Sequence, residues 1–544
     1  MSAMIAVLLP VVTGLALLAP GPLRRGALAA GPWLPLALLW PAFGGAGCEC
    51  EPVLLGLRMG ADAVTRPLIV LCALAWTAAG WFARGRLQQR NVSFWLGWQA
   101  SFTGMALLLL ARELGGLYVG YAILSLASWL IIVHARSDAA WRAGRIYLIM
   151  ALIGEMAVFA GVVAIVSEVG NAEFATLVAP AAIDAPWRWL LFLGYAVKMG
   201  MLGLHLWLPL AHPVAPVPAS AVLSGVIVKA GLVGWLRLVP PGSGMELAAE
   251  TLLLLGIVTA FAGVALGLAQ DRIKVVLAYS TISQMGLVTA GFAALLMTAD
   301  PVAAYPWLGV LVLHHGLNKA SLFLACGCAP GRSAWRGLLI VLPSLALAGA
   351  PLTTGVVGKT GLKTLFHEAG LGDGWILVLS LSSTATALLL WRFWRLARAE
   401  TGDAPAHPAW VALTLGAVAV PWLWGIAAQV DTVYAVTHPW SATWPLLIAA
   451  ALIAAAARVP ALSRLRIPPG DLVVPLERVA RNGRRAWSRW MRGQPEPPFR
   501  ASGRPGHAFI RASERYLRAI PVAGFLILVV GAAMWLLSRL AQGL

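Results

Sequence analysis

Six lysines stand apart among the 40 basic residues of the chain: Lys198, Lys229, Lys274, Lys319, Lys359 and Lys363 all fall in its middle third, and every other base is arginine. A guanidinium stays protonated in almost any surroundings, whereas a buried amine can be driven to release its proton. Lysine is therefore the cation that takes up and gives back a proton away from water. Lys198, Lys229, Lys319 and Lys359 lie within apolar sequence, where an ionisable group is costly and faces a polar interior path by default. Snorkelling at a helix end is the competing account, and it suits Lys274, beside Asp271 and Arg272, better than Lys198 or Lys229. Of the five cysteines, Cys48 and Cys50 in Cys48-Glu49-Cys50-Glu51 lack the second ligand pair of a zinc site and stand too close for an ordinary disulfide. Cys72, Cys326 and Cys328 read as small hydrophobes. No iron–sulfur, haem or phosphate-loop spacing is present, so no cofactor is expected and any redox chemistry belongs to a partner.

The elements that must position these lysines are membrane helices. Of 544 residues, 60% are hydrophobic and 11% charged, and the mean hydropathy is +0.81. Apolar runs of about 18 to 25 residues, each able to cross roughly 30 Å of hydrocarbon, recur from Met4 to Leu540, and about 16 are expected. The first, Met4 to Leu18, has no preceding base and no small-residue cleavage site, so it reads as a retained helix. Arginines follow the odd-numbered runs (Arg24 and Arg25; Arg84, Arg86 and Arg90; Arg136, Arg142 and Arg145; Arg332 and Arg336). Acids follow the even ones (Glu49 and Glu51, Glu168 and Glu173, Glu246 and Glu250, Asp431). The positive-inside rule then sets the odd loops in the cytoplasm and both termini outside, in the cell's inner (plasma) membrane. This distribution accounts for the net charge of +18 without nucleic acid.

Two breaks interrupt the lysine-bearing region. Four prolines lie between Leu208 and Ser220, and Gly349-Ala350-Pro351-Leu352-Thr353-Thr354-Gly355 precedes Lys359. Helices cannot run through such stretches, and broken helices in two halves are a transporter signature. Lys198-Met-Gly-Met-Leu and Lys359-Thr-Gly-Leu-Lys echo each other and suggest an internal duplication.

Three segments carry a resemblance to a known family. They are Leu204-His-Leu-Trp-Leu-Pro-Leu-Ala-His-Pro-Val-Ala-Pro-Val-Pro-Ala-Ser-Ala-Val-Leu-Ser-Gly-Val-Ile-Val-Lys-Ala-Gly, Asp271-Arg-Ile-Lys-Val-Val-Leu-Ala-Tyr-Ser-Thr-Ile-Ser-Gln-Met-Gly, and His314-His-Gly-Leu-Asn-Lys-Ala-Ser-Leu-Phe-Leu. From about Asp62 to Lys363 the chain resembles the antiporter-like subunits of respiratory complex I, Mrp-type cation/proton antiporters and energy-converting membrane hydrogenases. The resemblance implies an all-α polytopic fold with two inverted five-helix repeats and a mid-membrane chain of Lys, Glu and His. It would make Lys198 the central lysine of the first broken helix, Lys229 the linking lysine and Lys359 the lysine of the second broken helix. His315 and Lys319 would belong to the connecting polar axis, and His205 and His212 match the proline-rich motif. A helix-end histidine satisfied by backbone is the alternative for those two.

The chain also departs from the family. Leu117-Tyr-Val-Gly-Tyr-Ala puts Ala122 where a glutamate paired to the first lysine is usual, and Leu210 and Val214 replace further carboxylates. Glu155 on the next helix is the candidate replacement.

Beyond Arg458, a basic segment from Arg464 to Arg518 contains Asp471 to Arg492, whose pattern suits an amphipathic helix on the anionic inner leaflet or on a partner; a solvated linker is the rival. A last apolar run covers Ile520 to Leu537. The expected organisation is N-terminal spans (1–92), a first repeat (93–240), a second repeat (245–400), further spans (401–460), the basic segment (461–517) and a final span (518–544).

The expected function is proton or cation translocation as a non-catalytic membrane subunit of a complex I-like (NADH-quinone oxidoreductase) or hydrogenase-type assembly. Its partners would be other membrane subunits, the lipid bilayer and a cytoplasmic redox or non-redox component. A Mrp-like antiporter, an ion-coupled component of an inorganic-carbon uptake system, and a non-conducting structural role remain alternatives.

Overall fold

Apolar runs of this length leave the backbone amides no partner but one another, and the computed structural model accordingly consists of helices. It describes residues 1–44, 47–50, 57–87, 91–169, 187–239, 246–328, 333–400, 405–430, 439–458 and 466–470, with residues 174, 473–475, 477 and 482. The chain opens with α1 (Ser2–Leu18), α2 (Pro22–Ala30), a 3-10 stretch (Gly31–Leu38) and α3 (Leu39–Phe43). A two-stranded antiparallel ribbon follows, β1 (Cys48–Cys50) against β2 (Leu57–Met59). Next come α4 (Arg66–Arg86), α5 (Val92–Leu110), α6 (Leu114–Ile132) and α7 (Asp138–Val169). The central group is α8 (Trp187–Met199), α9 (Trp207–Val214), α10 (Val217–Gly225), α11 (Ala230–Leu238), α12 (Glu246–Leu268), α13 (Ile273–Met297) and α14 (Pro301–Ala325). The described bundle closes with α15 (Ala334–Ala348), α16 (Thr354–Glu368), α17 (Asp373–Ala399), α18 (Pro408–Ala427) and α19 (Trp440–Ala456).

Eleven helical stretches among the described residues are long and apolar enough to cross a membrane, and α1, α15 and α19 are shorter apolar helices. The difference from the expected sixteen has two sources. The run from Ile520 to Leu537 lies outside the described residues, and helix breaks divide other runs into pieces shorter than a full crossing. Glu51, Arg90, Glu173, Arg332, Asp431 and most of the basic segment also lie outside the described residues.

The proline-rich stretch 208–220 is interrupted at Ala215 and Pro216, between α9 and α10, but α9 itself runs through Pro209 and Pro213, contrary to expectation; Pro209 falls in its first turn, where no amide partner is lost. The break expected at 349–355 separates α15 from α16, and a further one, not anticipated, precedes α9. At the end of α8, Gly200 takes a left-handed φ of 72°, and the amides of Gly200 and Met201 turn back to Val197 O and Ala196 O. At the end of α15, Gly349 has φ 80°, and Gly349 N and Ala350 N return in the same way to Ala346 O and Leu345 O. Both are glycine C-caps in which a left-handed residue satisfies the last carbonyls. The sequence echo between Lys198 and Lys359 does not carry over to local geometry: Gly200 ends a helix, whereas Gly361 lies inside α16.

Helices approach closely where neither carries a side chain. A Cβ on Gly194 of α8 would fall 2.7 Å from Gly154 O of α7, and one on Gly286 of α13 would collide with Gly256 O of α12. Gly225 of α10 similarly meets Gly316 O of α14 at 3.0 Å. Membrane bundles gain little from hydrophobic exclusion between helices, so such small-residue contacts set their spacing. Large apolar side chains occupy the outside, as with Ile149, Leu152, Met156 and Phe159 of α7.

Charge is used at the ends of the bundle. Asp62 Oδ2 accepts from Arg237 at 2.6 Å and Arg112 at 2.8 Å, while Oδ1 accepts from Thr65 N and Thr65 Oγ1. One carboxylate thus joins the approach to α4, the α5–α6 turn and α11. Elsewhere, Ile467 N donates to Ala269 O, Val473 is buried in the core, and Glu477 forms a two-pronged pair with Arg142 of α7 at 2.8 and 3.0 Å. Of the segment 471–492 expected on a membrane surface or partner, Val473 and Glu477 pack on the bundle itself.

Burial alone would raise the Asp62 carboxyl, but Arg237, the hydrogen bonds and Arg112 outweigh it and hold the group below the usual carboxylate range. The resulting stabilisation is present in full above about pH 4 and is lost as the pH falls through the depressed native value. We expect Asp62→Asn to cost about 3 kcal/mol by leaving Arg237 buried without a counter-charge. It should also flatten the loss of thermal stability between neutral and acidic pH, measured on purified protein in detergent. Gly194→Val should force α8 off α7 and abolish stable expression. Gly337→Ala, where nothing lies within 4 Å of the new Cβ, should leave the melting temperature unchanged or slightly raised.

A candidate ion path of buried lysines

Lys198 is the penultimate residue of α8, one turn beyond the Gly154–Gly194 contact that draws α8 onto α7. Its ammonium donates to Ser125 Oγ of α6 and lies over two ring faces, 5.1 Å from the Tyr121 centroid and 5.8 Å from that of Tyr147. Hydrogen bonds hold both rings: Tyr121 donates to Gly194 O at 3.3 Å and Tyr147 to Ser125 O at 2.8 Å. Tyr195 backs Tyr121 edge to face, and Trp207 backs Tyr147 in the same manner. A small cavity beside the ammonium is lined by Tyr121, Tyr147, Ala151, Val197, Lys198 and Trp207. Glu155 of α7 is also buried. It interacts electrostatically with Lys198, but the ion pairs among the described residues do not include this couple.

Lys229 owes its position to another break, not anticipated from the sequence. The helix stops at Gly225 and resumes at Ala230 after a 3-10 turn, Ile227–Lys229. Ser224 O accepts from the lysine's own ammonium at 2.8 Å. Ser224 Oγ meets Thr281 Oγ1 of α13 at 2.7 Å, Thr281 Oγ1 bonds Leu277 O at 2.9 Å, and Leu277 O accepts from Lys319 Nζ of α14 at 3.2 Å. Two fully buried lysines on different helices are therefore brought to one cluster, in which Ser224 meets Lys229 through its carbonyl and Thr281 through its hydroxyl, and Leu277 O is shared by Thr281 and Lys319. His315 lies one turn before Lys319, also fully buried, with neither ring nitrogen bonded.

Lys359 of α16 donates to Ser382 Oγ of α17 at 3.0 Å, and its stem packs against Gly349, where an added Cβ would lie 3.0 Å from Lys359 Cγ. Ser382 O accepts from Thr386 Oγ1 at 2.8 Å, and Thr386 Oγ1 accepts from Gln284 Nε2 at 3.1 Å. Gln284 sits three residues after Thr281, so one turn of α13 adjoins both the Lys229–Lys319 link and the Lys359 link. His314 bonds Thr354 at the start of α16 at 3.1 Å, with Asn318 against both.

The two histidines of the proline-rich stretch behave differently. His205 Nδ1 accepts from Gly203 N at 3.2 Å, the backbone-satisfied alternative for a helix-end histidine. His212 stacks on Phe323 at 4.5 Å and has neither ring nitrogen bonded. Lys274 donates to Ala215 O, the C-cap carbonyl of α9, at 2.7 Å, as bases commonly do at helix ends. Sequence reasoning missed Tyr121, Tyr147, Ser125, Ser224, Thr281, Gln284, Ser382, Thr386 and His314. The cluster Ser382, Ser383, Thr384 and Thr386 in an apolar helix was the visible signal. Among the described residues, no group of three or more His, Cys, Asp or Glu converges on a metal position.

The family described as NADH:quinone oxidoreductase/Mrp antiporter, TM, matches residues 111–388, just over half of the chain. Hydrogenase-4 component B of Escherichia coli is 33% identical over 39% of this chain and 34% of its own. A component of a probable K(+)/H(+) antiporter from Rhizobium meliloti is 32% identical over 52% of this chain and 29% of its own. NADH-quinone oxidoreductase subunit M of Rickettsia typhi is 33% identical over 31% and 37%. The chain thus spans roughly a third of the length of these relatives. The structure of an Mrp complex from a Dietzia species aligns over 99% of this chain and 70% of the matched one, with a TM-score of 0.63 at 20% identity, a likeness of fold. On the family match, the chain is a multi-pass membrane protein that belongs to the NADH:quinone oxidoreductase/Mrp antiporter transmembrane family.

Proposed function

We propose that this chain moves protons, or a cation exchanged for them, across the membrane as one subunit of a larger assembly. The observation that carries the reading is the set of four buried lysines on α8, the α10–α11 break, α14 and α16, two of them gathered around Ser224 and Thr281 against α13. Each amine is a proton acceptor when neutral. Each bound hydroxyl accepts from the ammonium and donates onward. Like charges at neighbouring lysines repel strongly in a medium of low permittivity, so charging one site disfavours charging the next, and the proton is passed along rather than stored. Glu155 supplies the negative charge at the Lys198 end, His315 is a further carrier beside Lys319, His205 lies in the turn before α9, and His212 lies within α9. The stretches 93–240 and 245–400 serve as the two repeats around this axis, in an inner membrane with both termini outside.

Hydrogenase-4 component B and NADH-quinone oxidoreductase subunit M are parts of larger systems by name, which supports membrane partners and an external driving reaction. The whole-chain fold likeness to an Mrp complex favours a second reading, cation/proton exchange without a redox partner. Co-purification with flavin or iron–sulfur subunits supports the first reading. A dependence of transport on sodium or potassium, with no such subunits, supports the second.

The test is pH-gradient formation in inverted vesicles or proteoliposomes holding the native assembly, with complex assembly scored separately. Lys198→Ala and Lys359→Ala should each reduce transport about tenfold or more while the complex remains intact. Normal transport by both would make the chain a structural component. Thr281→Val, which removes the hydroxyl between Ser224 and Leu277 O, should slow transport less than either lysine change and leave the expression level unaltered.

A further inference from the structure

We propose that the ring faces of Tyr121 and Tyr147 take the place of a carboxylate on α6, holding the ammonium of Lys198 in the bundle and so positioning the proton it carries. The inference rests on the reading of Lys198 as a carrier and deepens it.

The usual glutamate position of α6 holds Ala122, so α6 offers Lys198 no negative charge there. What it offers one residue earlier is Tyr121, and one turn beyond that Ser125. The face of an aromatic ring carries negative electrostatic potential, and a cation within about 6 Å of the centroid is attracted to it, more strongly when both are removed from water. Both rings meet that distance, from two different helices. Neither is free to turn away, because the Tyr121 hydroxyl is tied to Gly194 O and the Tyr147 hydroxyl to Ser125 O, with Tyr195 and Trp207 packed behind. Ring faces lie over Lys198 and over no other lysine among the described residues. Lys229 and Lys319 use backbone carbonyls and Lys359 a serine. A ring differs from a carboxylate in one chemical respect: it stabilises the ammonium and cannot accept its proton. A proton leaving Lys198 then has the Ser125 hydroxyl, which also faces Glu155, and the adjacent cavity as its exits.

The titratable groups around Lys198 are Glu155 and Tyr147 from α7, Tyr118 and Tyr121 from α6, and Tyr195 on α8 itself. The experiment compares Tyr121→Leu/Tyr147→Leu, Tyr121→Phe/Tyr147→Phe and Lys198→Ala in the native assembly, measuring pH-gradient formation across a range of pH and assembly on native gels. Removing both faces should lower the rate roughly tenfold and move the alkaline limb of the pH profile to lower pH by about one unit. The Phe pair, which keeps both faces, should lose far less. Adding Ala122→Glu to the Leu pair should recover much of the lost rate and return the alkaline limb. Where the Leu pair fails to assemble, Tyr147→Leu alone supplies the same pH-profile readout. A wild-type rate and profile in the Leu pair, with Lys198→Ala inactive, overturns the role of the rings and leaves the lysine path standing. An active Lys198→Ala overturns both. A Phe pair as impaired as the Leu pair overturns the ring role in favour of the hydroxyl bonds.

Discussion

An ammonium group held away from water costs several kcal/mol unless oxygen atoms or ring faces surround it, and four such groups lie inside this bundle. Each must therefore meet a partner that a neighbouring helix or a broken turn presents at hydrogen-bond distance. Ser125 can reach Lys198 only while α6, α7 and α8 stay in register, which the bare Gly154–Gly194 contact enforces. Ser224 O can reach Lys229 because the helix stops at Gly225. Lys319 leans on Leu277 O of α13, and Lys359 on Ser382 of α17. The helix spacing set by the glycine contacts, and the position of the break after Gly225, are what allow this electrostatic requirement to be met.

Among these elements α13 holds the arrangement together. Its Leu277 carbonyl, Thr281 hydroxyl and Gln284 amide lie on neighbouring turns, and they connect α10, α14 and α17. A helix with this duty must approach its neighbours closely without large side chains in the way, and Gly286 against Gly256 provides that on the α12 side. The polar atoms of α13 point to the interior, and nearly all of its residues are buried.

The membrane class, the breaks within 208–220 and 349–355 and the four interior lysines were legible in the sequence because each depends on composition or on proline and glycine, which act locally; the breaks after Met199 and after Gly225 were not. The partners of those lysines were not. A serine or threonine in an apolar helix usually returns its hydroxyl to the carbonyl four residues back, as Ser128, Thr289 and Ser344 do here. Thr281 makes that same local bond and also bridges to Ser224. Nothing in its own stretch of sequence separates it from Thr103, whose hydroxyl returns to Gln99 O, since the difference is made by a residue 57 positions away. Glu155 could be offered from the sequence as a replacement carboxylate, but its distance from Lys198 depends on the tilt of α7 against α8, which no spacing rule supplies.

The lysines of the proposed path are not equivalent in what their partners can do. Lys198 and Lys359 sit on hydroxyl groups, which both accept and donate a proton. Lys229 and Lys319 sit on carbonyls, which only accept a hydrogen bond. Between the central pair, the groups able to relay a proton are therefore the Ser224 and Thr281 hydroxyls, 2.7 Å apart. A carbonyl partner is also fixed by the backbone and survives any substitution that leaves the helix in place, whereas a hydroxyl partner is lost with one side chain. The centre of the path is thus anchored by the fold itself, and its two ends by side chains. The departure from the family pattern falls at one of those ends, beside Lys198, where the side chains on α6 and α7 can change without moving any backbone atom that holds a lysine.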